Sequence, residues 1–199
     1  KNWMSKMDKT IKSHFGFDYI LKENTIVLGS IKLKIAELDN LDKTIDLLCE
    51  ALGAESDKDP LCEDYCPYFG AIWPSSLGLS QYLIRHKDEL QGKRILELGS
   101  GLSIPSFVAT KLGAKILATD YHVDVPYFLK FNQELNQTQF EFMRLNWTLG
   151  DSKLEKFDWV IGSDVLYESK HPKDIAKALQ GFVKPGGRIV LADPGRTYI

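Results

Sequence analysis

RILELGSG, at residues 94–101, is a short apolar run that ends in two closely spaced glycines. Such a run is typical of a strand buried on both faces of a sheet, and glycines allow the backbone to turn tightly after it. Strands and helices then alternate downstream with short connections. The predicted strands lie at 94–98, 115–120, 140–145, 157–161 and 188–192, with helices between them. This alternation predicts an α/β fold with a mainly parallel, doubly wound sheet and right-handed crossovers.

The first third of the chain has a different pattern. Residues 25–28 and 31–35 flank a Gly-Ser pair and predict a hairpin, and residues 41–52 carry apolar side chains at helical spacing. We interpret residues 1–64 as an N-terminal extension of helix, hairpin and helix, and residues 65–199 as the main domain. Ser75 or Ser76 is expected to cap the first helix of that domain.

Composition limits the possible functions. The chain has 199 residues, of which 44% are hydrophobic and 26% charged, as in an ordinary globular domain. A net charge of −2 provides no basic field for nucleic acid, and no apolar run approaches the roughly 20 residues that span a bilayer. Cys62 and Cys66 lack the second ligand pair that a structural zinc site requires. We expect a reduced, cytoplasmic protein without a metal, a nucleic-acid partner or a membrane segment.

Polar or acidic side chains follow each predicted strand. Glu97, Asp120, Asn146, Asp164 and Asp193 stand at or just beyond the carboxyl ends. Ligands of open α/β sheets bind at that edge, near the switch in strand order. The ordinary return of polar residues at strand ends explains one or two of these positions, and all of them together predict a ligand site.

The loop after the first strand restricts the ligand. A dinucleotide fingerprint would place a third glycine at position 104, where this chain has Ile104. Glu97, two residues before Gly99, can receive a cationic amino group but repels a pyrophosphate. Asp120, 21 residues after Gly99, has the spacing at which an acid reaches ribose hydroxyls. These features favour a cationic, phosphate-free nucleoside cofactor and make an NAD oxidoreductase the least favoured enzyme class.

Trp147 has two interpretations. Its ring can lie against an adenine face, with Asn146 hydrogen-bonding nearby, or it can pack in the core. Spacing alone leaves both open.

Four segments together resemble a known enzyme family. They are YFGAIWPSS at 68–76, ELGSG at 97–101, NW at 146–147 and DVLY at 164–167. In combination they resemble the family 16 seven-β-strand protein-lysine methyltransferases over residues 65–199. DPGR at 193–196 is also similar to bacterial members, including relatives of the electron-transfer-flavoprotein lysine methyltransferase. The resemblance implies a Rossmann-like class I fold that transfers a methyl group from S-adenosyl-L-methionine to a lysine of a protein, leaving S-adenosyl-L-homocysteine.

The resemblance also implies residue roles. Trp73 would line the methionine end of the cofactor, Asp120 would bind the ribose and Trp147 the adenine. Asp164 and Tyr167 match the family's Asp-x-x-Tyr motif and would orient the acceptor amine and shape its channel. For Asp164 the competing interpretation is a helix cap after the fourth strand. The expected cofactor-binding set is Trp73, Glu97, Gly99, Ser100, Gly101, Asp120, Tyr121, Asn146, Trp147 and Ser163.

Some positions depart from the family pattern or have more than one interpretation. Ser103 stands where the family commonly has a glycine, which puts the path of the loop in question. The family sheet continues with a helix and two further strands, and we expect these last strands to be absent from this chain, which stops at Ile199. Asp193 and Arg196 are expected either to bind substrate or to form a local turn with an ion pair.

Two other functions are alternatives. A small-molecule, nicotinamide-like N-methyltransferase would share the fold and much of the loop. A non-catalytic methyltransferase-like binding module would keep the fold without turnover, although Glu97 and Asp164 favour an enzyme.

Overall fold

The structure is a computed structural model that describes residues 9–54, 62, 65–147, 154–167 and 171–196. Within those ranges, no helix has the length and apolar character needed to cross a membrane. The expected boundary between residues 64 and 65 falls beside residues outside these ranges, so the division into two parts stays a prediction.

A three-stranded antiparallel sheet begins the described chain. Strands β1 (Lys9–Lys12), β2 (Asp18–Leu28) and β3 (Ile31–Leu38) pair in that order. Leu28 lies opposite Ile31 across the Gly-Ser turn, which confirms the predicted hairpin and extends it. The first helix expected in the extension is not found from Lys9 onward, where β1 pairs with β2 instead. Residues 1–8 lie outside the described residues.

Helix α1 (Leu41–Leu52) follows as predicted. Asn40 caps its start, because the Asn40 side chain accepts a hydrogen bond from the Lys43 N–H at 2.9 Å. Gly53 ends the helix in a left-handed conformation with φ of 65°. Leu48 of α1 is fully buried and packs with Cys62 and Cys66, which lie on either side of the expected boundary between residues 64 and 65. Helix α1 therefore packs against the part of the chain that leads into the main domain.

The main domain contains a parallel sheet of five strands in the order β6-β5-β4-β7-β8. The sequence order switches between β4 and β7, and the carboxyl ends of those two strands flank the crevice where ligands of such sheets bind. The predicted α/β parallel fold is confirmed. The strand bounds are β4 (Arg94–Leu98), β5 (Lys115–Asp120), β6 (Glu141–Arg144), β7 (Phe157–Ser163) and β8 (Val183–Ala192).

Helices cover both faces of the parallel sheet. Ile95 of β4 joins a core that includes side chains of α2, α3, α4 and the first sheet. Leu96 and Leu98 point the other way, into a core with α5. Burial on both faces explains why the sequence of β4 is almost continuously apolar. The helix bounds are α2 (Pro74–Arg85), α3 (Ile104–Lys111), α4 (Val125–Asn136) and α5 (His171–Phe182).

The start of α2 differs from the expectation. Trp73 occupies the cap position and Pro74 the first turn, so neither Ser75 nor Ser76 is the cap. Proline suits the first helical position because its fixed φ is already helical and its missing N–H is not needed there. The Ser76 hydroxyl instead donates back to the Trp73 carbonyl at 2.7 Å.

Two asparagines on α4 attach the first sheet to the main domain. Asn132 Oδ1 accepts a hydrogen bond from the Ala36 N–H at 2.7 Å, and Asn132 Nδ2 donates to the Ala36 carbonyl at 3.1 Å. One helical turn later, Asn136 makes the same two bonds with the Lys34 backbone, at 2.9 and 2.7 Å. The two amides therefore pair with β3 as a neighbouring strand would, and they cover its free edge.

Candidate active site

The loop between β4 and α3 depends on two glycines. Gly99 and Gly101 have φ values of 58° and 48°, in the left-handed region that glycine adopts freely. A Cβ on Gly99 would lie 2.7 Å from Val165 Cγ1, and a Cβ on Gly101 would lie 3.0 Å from the Phe69 carbonyl oxygen. The loop is therefore pressed between the segment after β7 and the turn that precedes α2.

Ser103, at the position where the family pattern has a glycine, has a left-handed backbone conformation. Its φ is 58°, its side chain is fully buried, and its N–H donates to the Ser100 carbonyl at 2.6 Å. A left-handed conformation costs a residue with a Cβ roughly 1–2 kcal/mol. The loop therefore closes onto α3 in spite of the substitution.

Glu97 is a fully buried carboxyl near the end of β4. Its Oε2 accepts a hydrogen bond from the Ser106 hydroxyl on α3. Its Oε1 accepts no hydrogen bond from the described part of the chain. Burial raises the pKa of Glu97 to about 8, although the bonds from Ser106 act in the opposite direction. The site therefore holds a neutral acid at pH 7, with one oxygen available for a cationic group.

Ser100 supplies a second buried polar atom that lacks a hydrogen-bond partner in the described part of the chain. Its N–H donates to the Thr119 carbonyl at 2.9 Å, while its hydroxyl makes no hydrogen bond within the described ranges. Native proteins rarely leave buried polar atoms without partners. Two such atoms near one glycine loop are consistent with the predicted ligand site.

Asp120 ends β5 and supports the same loop. Its Oδ2 accepts a hydrogen bond from the Gly101 N–H and its Oδ1 accepts one from the His122 N–H, both at 2.9 Å. Burial raises the pKa of Asp120. Each carboxylate oxygen has a further lone pair, so this support is compatible with the predicted ribose contact.

Trp147 lies beside the glycine loop. Its Cζ3 would be 3.3 Å from a Cβ on Gly99, and its ring packs against the core that includes Leu98. Asn146 precedes it and is half-buried. The structure thus brings the predicted adenine-binding tryptophan to the loop, where it also contributes to packing.

Trp73 and Tyr121 are more exposed than the rest of the predicted set. Trp73 is 38% exposed, and its Nε1 donates to the Tyr68 carbonyl at 2.8 Å. Tyr121 directly follows β5 and is 39% exposed. The Arg144 guanidinium lies over the Tyr121 ring, 5.5 Å from the ring centroid.

Asp164 directly follows β7 in a left-handed conformation with φ of 56°. Its N–H donates to the Ala192 carbonyl of β8 at 2.9 Å, and Ser163 pairs with Ala192. Helix α5 begins only at His171, so the helix-cap interpretation of Asp164 is wrong. Tyr167 is 52% exposed.

A guanidinium joins Asp164 to Asp193. Arg196 Nη2 lies 2.5 Å from Asp164 Oδ1, and Arg196 Nη1 pairs with Asp193 Oδ2. Asp193 Oδ1 also accepts hydrogen bonds from the N–H groups of Gly195, at 2.9 Å, and Arg196, at 3.3 Å. Of the two expectations for Asp193 and Arg196, the local turn with an ion pair is confirmed.

The three cysteines lie close together. Cys62 Sγ is 3.1 Å from Cys49 Sγ and 3.9 Å from Cys66 Sγ. Burial raises the pKa of the Cys62 thiol, and the neighbouring thiols raise it further. Across the described ranges, no group of three or more His, Cys, Asp or Glu side chains is arranged to hold a metal ion.

Sequence reasoning missed three contributors to the site: Ser106, the Phe69 carbonyl and the contact of Arg196 with Asp164. Phe69 lies in the segment that carries the family resemblance, so a local signal existed. Ser106 acts from the helix that returns over β4, and Arg196 acts from the end of a neighbouring strand. No local spacing encodes those two contacts.

The sequence of this chain is similar to those of known protein methyltransferases. A family profile described as lysine methyltransferase matches residues 67–197. The histone-arginine methyltransferase METTL23 of Xenopus laevis is 35% identical over 145 residues, covering 67% of this chain and 58% of that protein. The electron transfer flavoprotein beta subunit lysine methyltransferase of Homo sapiens is 32% identical over 136 residues, covering 65% and 50%. The chain thus spans only half to three fifths of the length of these relatives.

Solved structures share the fold at low identity. The T. thermophilus 16S rRNA N2 G1207 methyltransferase has a TM-score of 0.63 and 13% identity, over 89% of this chain and 43% of that one. The ribosomal protein L11 methylase of Lactobacillus delbrueckii subsp. bulgaricus has a TM-score of 0.51 and 19% identity, over 61% of each. These likenesses confirm the Rossmann-like class I fold and nothing further. Because the profile covers most of the chain, including the glycine loop, Asp120 and Asp164, this chain belongs to the lysine methyltransferase family.

Proposed function

We propose that this chain is the cofactor-binding and catalytic part of an S-adenosylmethionine-dependent methyltransferase that modifies a lysine of a protein. The observation that carries this proposal is the buried Glu97 carboxyl near the glycine loop. Within the described ranges, neither its Oε1 nor the buried hydroxyl of Ser100 has a hydrogen-bond partner. Membership of the family supports the reaction class. The relatives' names, which specify a histone and an electron transfer flavoprotein subunit, support a protein acceptor.

The residues at the carboxyl edge fit S-adenosylmethionine, which supplies an activated methyl group when bound. Glu97 would receive its ammonium, and the glycine loop permits the close approach of the backbone. Asp120 would bind the ribose, and Trp147 would face the adenine. Trp73, Ser100, Tyr121, Asn146 and Ser163 complete the proposed binding set.

The acceptor nitrogen must be neutral, because an ammonium group has no lone pair. In the proposed reaction this nitrogen forms the new N–C bond as the C–S bond breaks, and the electron pair of the broken bond stays on sulfur. Asp164 would orient the acceptor, since its Oδ2 accepts no hydrogen bond from the described residues and can accept one from the acceptor N–H. Tyr167 would shape the channel and help to exclude water. We also propose a cytoplasmic location, which the reduced thiols of Cys49 and Cys62 favour.

Two measurements test the proposal. In calorimetric titration, the chain is expected to bind S-adenosylmethionine and S-adenosylhomocysteine saturably, with NAD as the negative control. In a transfer assay with labelled S-adenosylmethionine, protein acceptors are expected to gain label, and mass spectrometry should place the methyl group on lysine. The acceptors are the electron transfer flavoprotein beta subunit and core histones.

The matched variant is Asp164→Asn, which keeps the size of the side chain and the bond from Arg196 but places an amide donor where Oδ2 would accept the N–H of the acceptor. It should abolish transfer and leave the affinity for S-adenosylhomocysteine within a few-fold of the wild type. Label found only in small molecules, or on arginine, would refute the lysine assignment. If the folded chain binds neither S-adenosylmethionine nor S-adenosylhomocysteine, the proposed cofactor is wrong.

A further inference from the structure

The carboxylate proposed to orient the acceptor already has a permanent partner. Arg196 Nη2 is 2.5 Å from Asp164 Oδ1, and the two side chains are only 24% and 10% exposed. Water and salt therefore screen their attraction less than they would at the surface. A guanidinium keeps its charge at every pH at which a protein is folded, so this partner does not titrate away.

Asp193 holds the guanidinium in that position. It pairs with Arg196 Nη1 through Oδ2, while its Oδ1 fixes the turn by accepting hydrogen bonds from the backbone of Gly195 and Arg196. The Asp164 N–H is bonded to the Ala192 carbonyl, directly before Asp193. The ends of β7 and β8 thus fix both partners of the ion pair relative to each other.

The negative charge of Asp164 would influence whether the acceptor amine is protonated. An unopposed carboxylate beside a lysine stabilises its ammonium form and raises the pKa of the amine. That form cannot attack a methyl group. The same carboxylate is nevertheless useful, because it can accept the amine N–H and aim the lone pair. If Asp164 acted alone, it would orient the acceptor amine, but it would also reduce the fraction of the amine that is neutral and able to attack.

We propose that Arg196 is a positioning residue that resolves this conflict: its guanidinium lies between Asp164 and Asp193 and lowers the net charge of the two carboxylates from −2 to −1. Asp164 Oδ2 can then orient the acceptor while the cluster favours its protonated form less. This inference rests on the proposed function. It assigns Arg196 an action on the acceptor through Asp164, with no contact to the reacting atoms.

The test compares Arg196→Gln with Arg196→Lys. Glutamine keeps hydrogen-bond donors and removes the charge, whereas lysine keeps the charge. Labelled methyl transfer to the acceptor that the wild type modifies, either the electron transfer flavoprotein beta subunit or core histones, is followed between roughly pH 6 and 10. We expect the midpoint of the rise in kcat/KM to move up by about one pH unit in Arg196→Gln, so that a deficit of about tenfold at neutral pH disappears at high pH. Arg196→Lys should keep the wild-type midpoint.

Calorimetric titration with S-adenosylhomocysteine is the control for the fold and the cofactor site, and the affinity of both variants should stay within about twofold of the wild type. A structural role for Arg196 would lower activity by the same factor at every pH, and this would overturn the inference. So would an unchanged profile, or a large loss of S-adenosylhomocysteine affinity. If the wild type transfers no label, or if Asp164→Asn keeps wild-type turnover, the proposed function itself fails and this inference fails with it.

Discussion

The state of ionisation of Glu97 links the fold to the proposed cofactor. Without ligand the carboxyl keeps its proton at neutral pH, because burial raises its pKa to about 8. A cation placed at Oε1 would favour the ionised form instead. The proton would therefore leave when the cation arrives.

We predict that S-adenosylmethionine binding at about pH 6.5, where the ligand's amino group is already cationic, releases about one proton per site. The measurement is titration calorimetry in two buffers with different ionisation enthalpies. The observed binding enthalpy should differ between the buffers for the wild type and agree between them for Glu97→Gln. A wild-type enthalpy that is the same in both buffers would contradict the prediction.

At the scale of residues, sequence reasoning located the groups that lie next to one another in the chain. Glu97, Gly99 and Gly101 belong to one strand and its loop, so their mutual placement follows from local geometry. The contact between Arg196 and Asp164 could not be foreseen, because it spans 32 positions and depends on the pairing of β7 with β8. The loop-supporting bonds of Asp120 depend in the same way on the pairing of β4 with β5.

At the scale of elements, the attachment of β3 to α4 depends on very few side chains. Asn132 is fully buried and bonds both polar groups of the Ala36 backbone. Removing its amide would leave a buried N–H and a buried carbonyl without partners, and each such group costs about 1–3 kcal/mol.

We predict that Asn132→Ala lowers the free energy of unfolding by about 2–6 kcal/mol, measured by urea denaturation. Asn136→Ala is the matched control, because it removes an equivalent pair of bonds to the backbone of Lys34, which is exposed. Water can replace those bonds, so the loss should stay below about 1 kcal/mol. Equal losses in the two variants would show that the buried pairing is not what holds the extension in place.

Elements with strong local signals were predicted to the residue. The structure confirms 94–98 and 115–120 as strands and 125–136 as a helix, because their periodicity and flanking glycines or prolines are local properties. The short strand β1 was missed, since its order comes from pairing with β2 and not from its own four residues. At α2, Pro74 determined the helix start, although two serines with good capping chemistry follow it.

At the scale of the whole molecule, Asp124 connects the extension to the edge of the proposed cofactor site. This buried carboxylate accepts hydrogen bonds from the Ser13 hydroxyl at 3.2 Å, the His14 N–H at 3.0 Å and the Tyr19 hydroxyl at 2.7 Å. These donors come from the first sheet and its β1–β2 turn, while Asp124 starts α4. The network therefore joins parts of the chain that are more than 100 positions apart.

His122 extends that network in its neutral form. Its Nδ1 accepts a hydrogen bond from the Asp124 N–H at 3.1 Å, so Nε2 carries the proton and donates to the Tyr65 carbonyl at 2.9 Å. Burial lowers the pKa of His122 below its usual 6.5. The unfolded chain therefore takes up this proton more readily, and the contribution of His122 to stability is lost as the pH falls below 6.5. The contribution of Glu97 to stability depends on pH in the opposite direction. Between pH 4.5 and 8 the folded state keeps a proton that the unfolded state loses, so this contribution falls as the pH rises.

We predict opposite pH dependences for two variants of the cofactor-free protein, measured by urea unfolding between about pH 5 and 8. The stability advantage of the wild type over His122→Asn should shrink as the pH is lowered. Its stability relative to Glu97→Gln should fall as the pH is raised, with a slope approaching about 1.4 kcal/mol per pH unit. Differences that do not vary with pH, or that vary in the same direction, would contradict the assignment of these two buried groups.

The asparagine pairing on α4 also has an evolutionary consequence. Asn132 and Asn136 recognise the backbone of β3 and not its side chains, so the docking of the extension places no demand on the outward-facing residues of that strand. Lys32 and Lys34 point to solvent and can be exchanged by mutation without shifting the strand. The first sheet can thus acquire new surface chemistry, and with it new partners, while the parallel sheet and its helices stay the same.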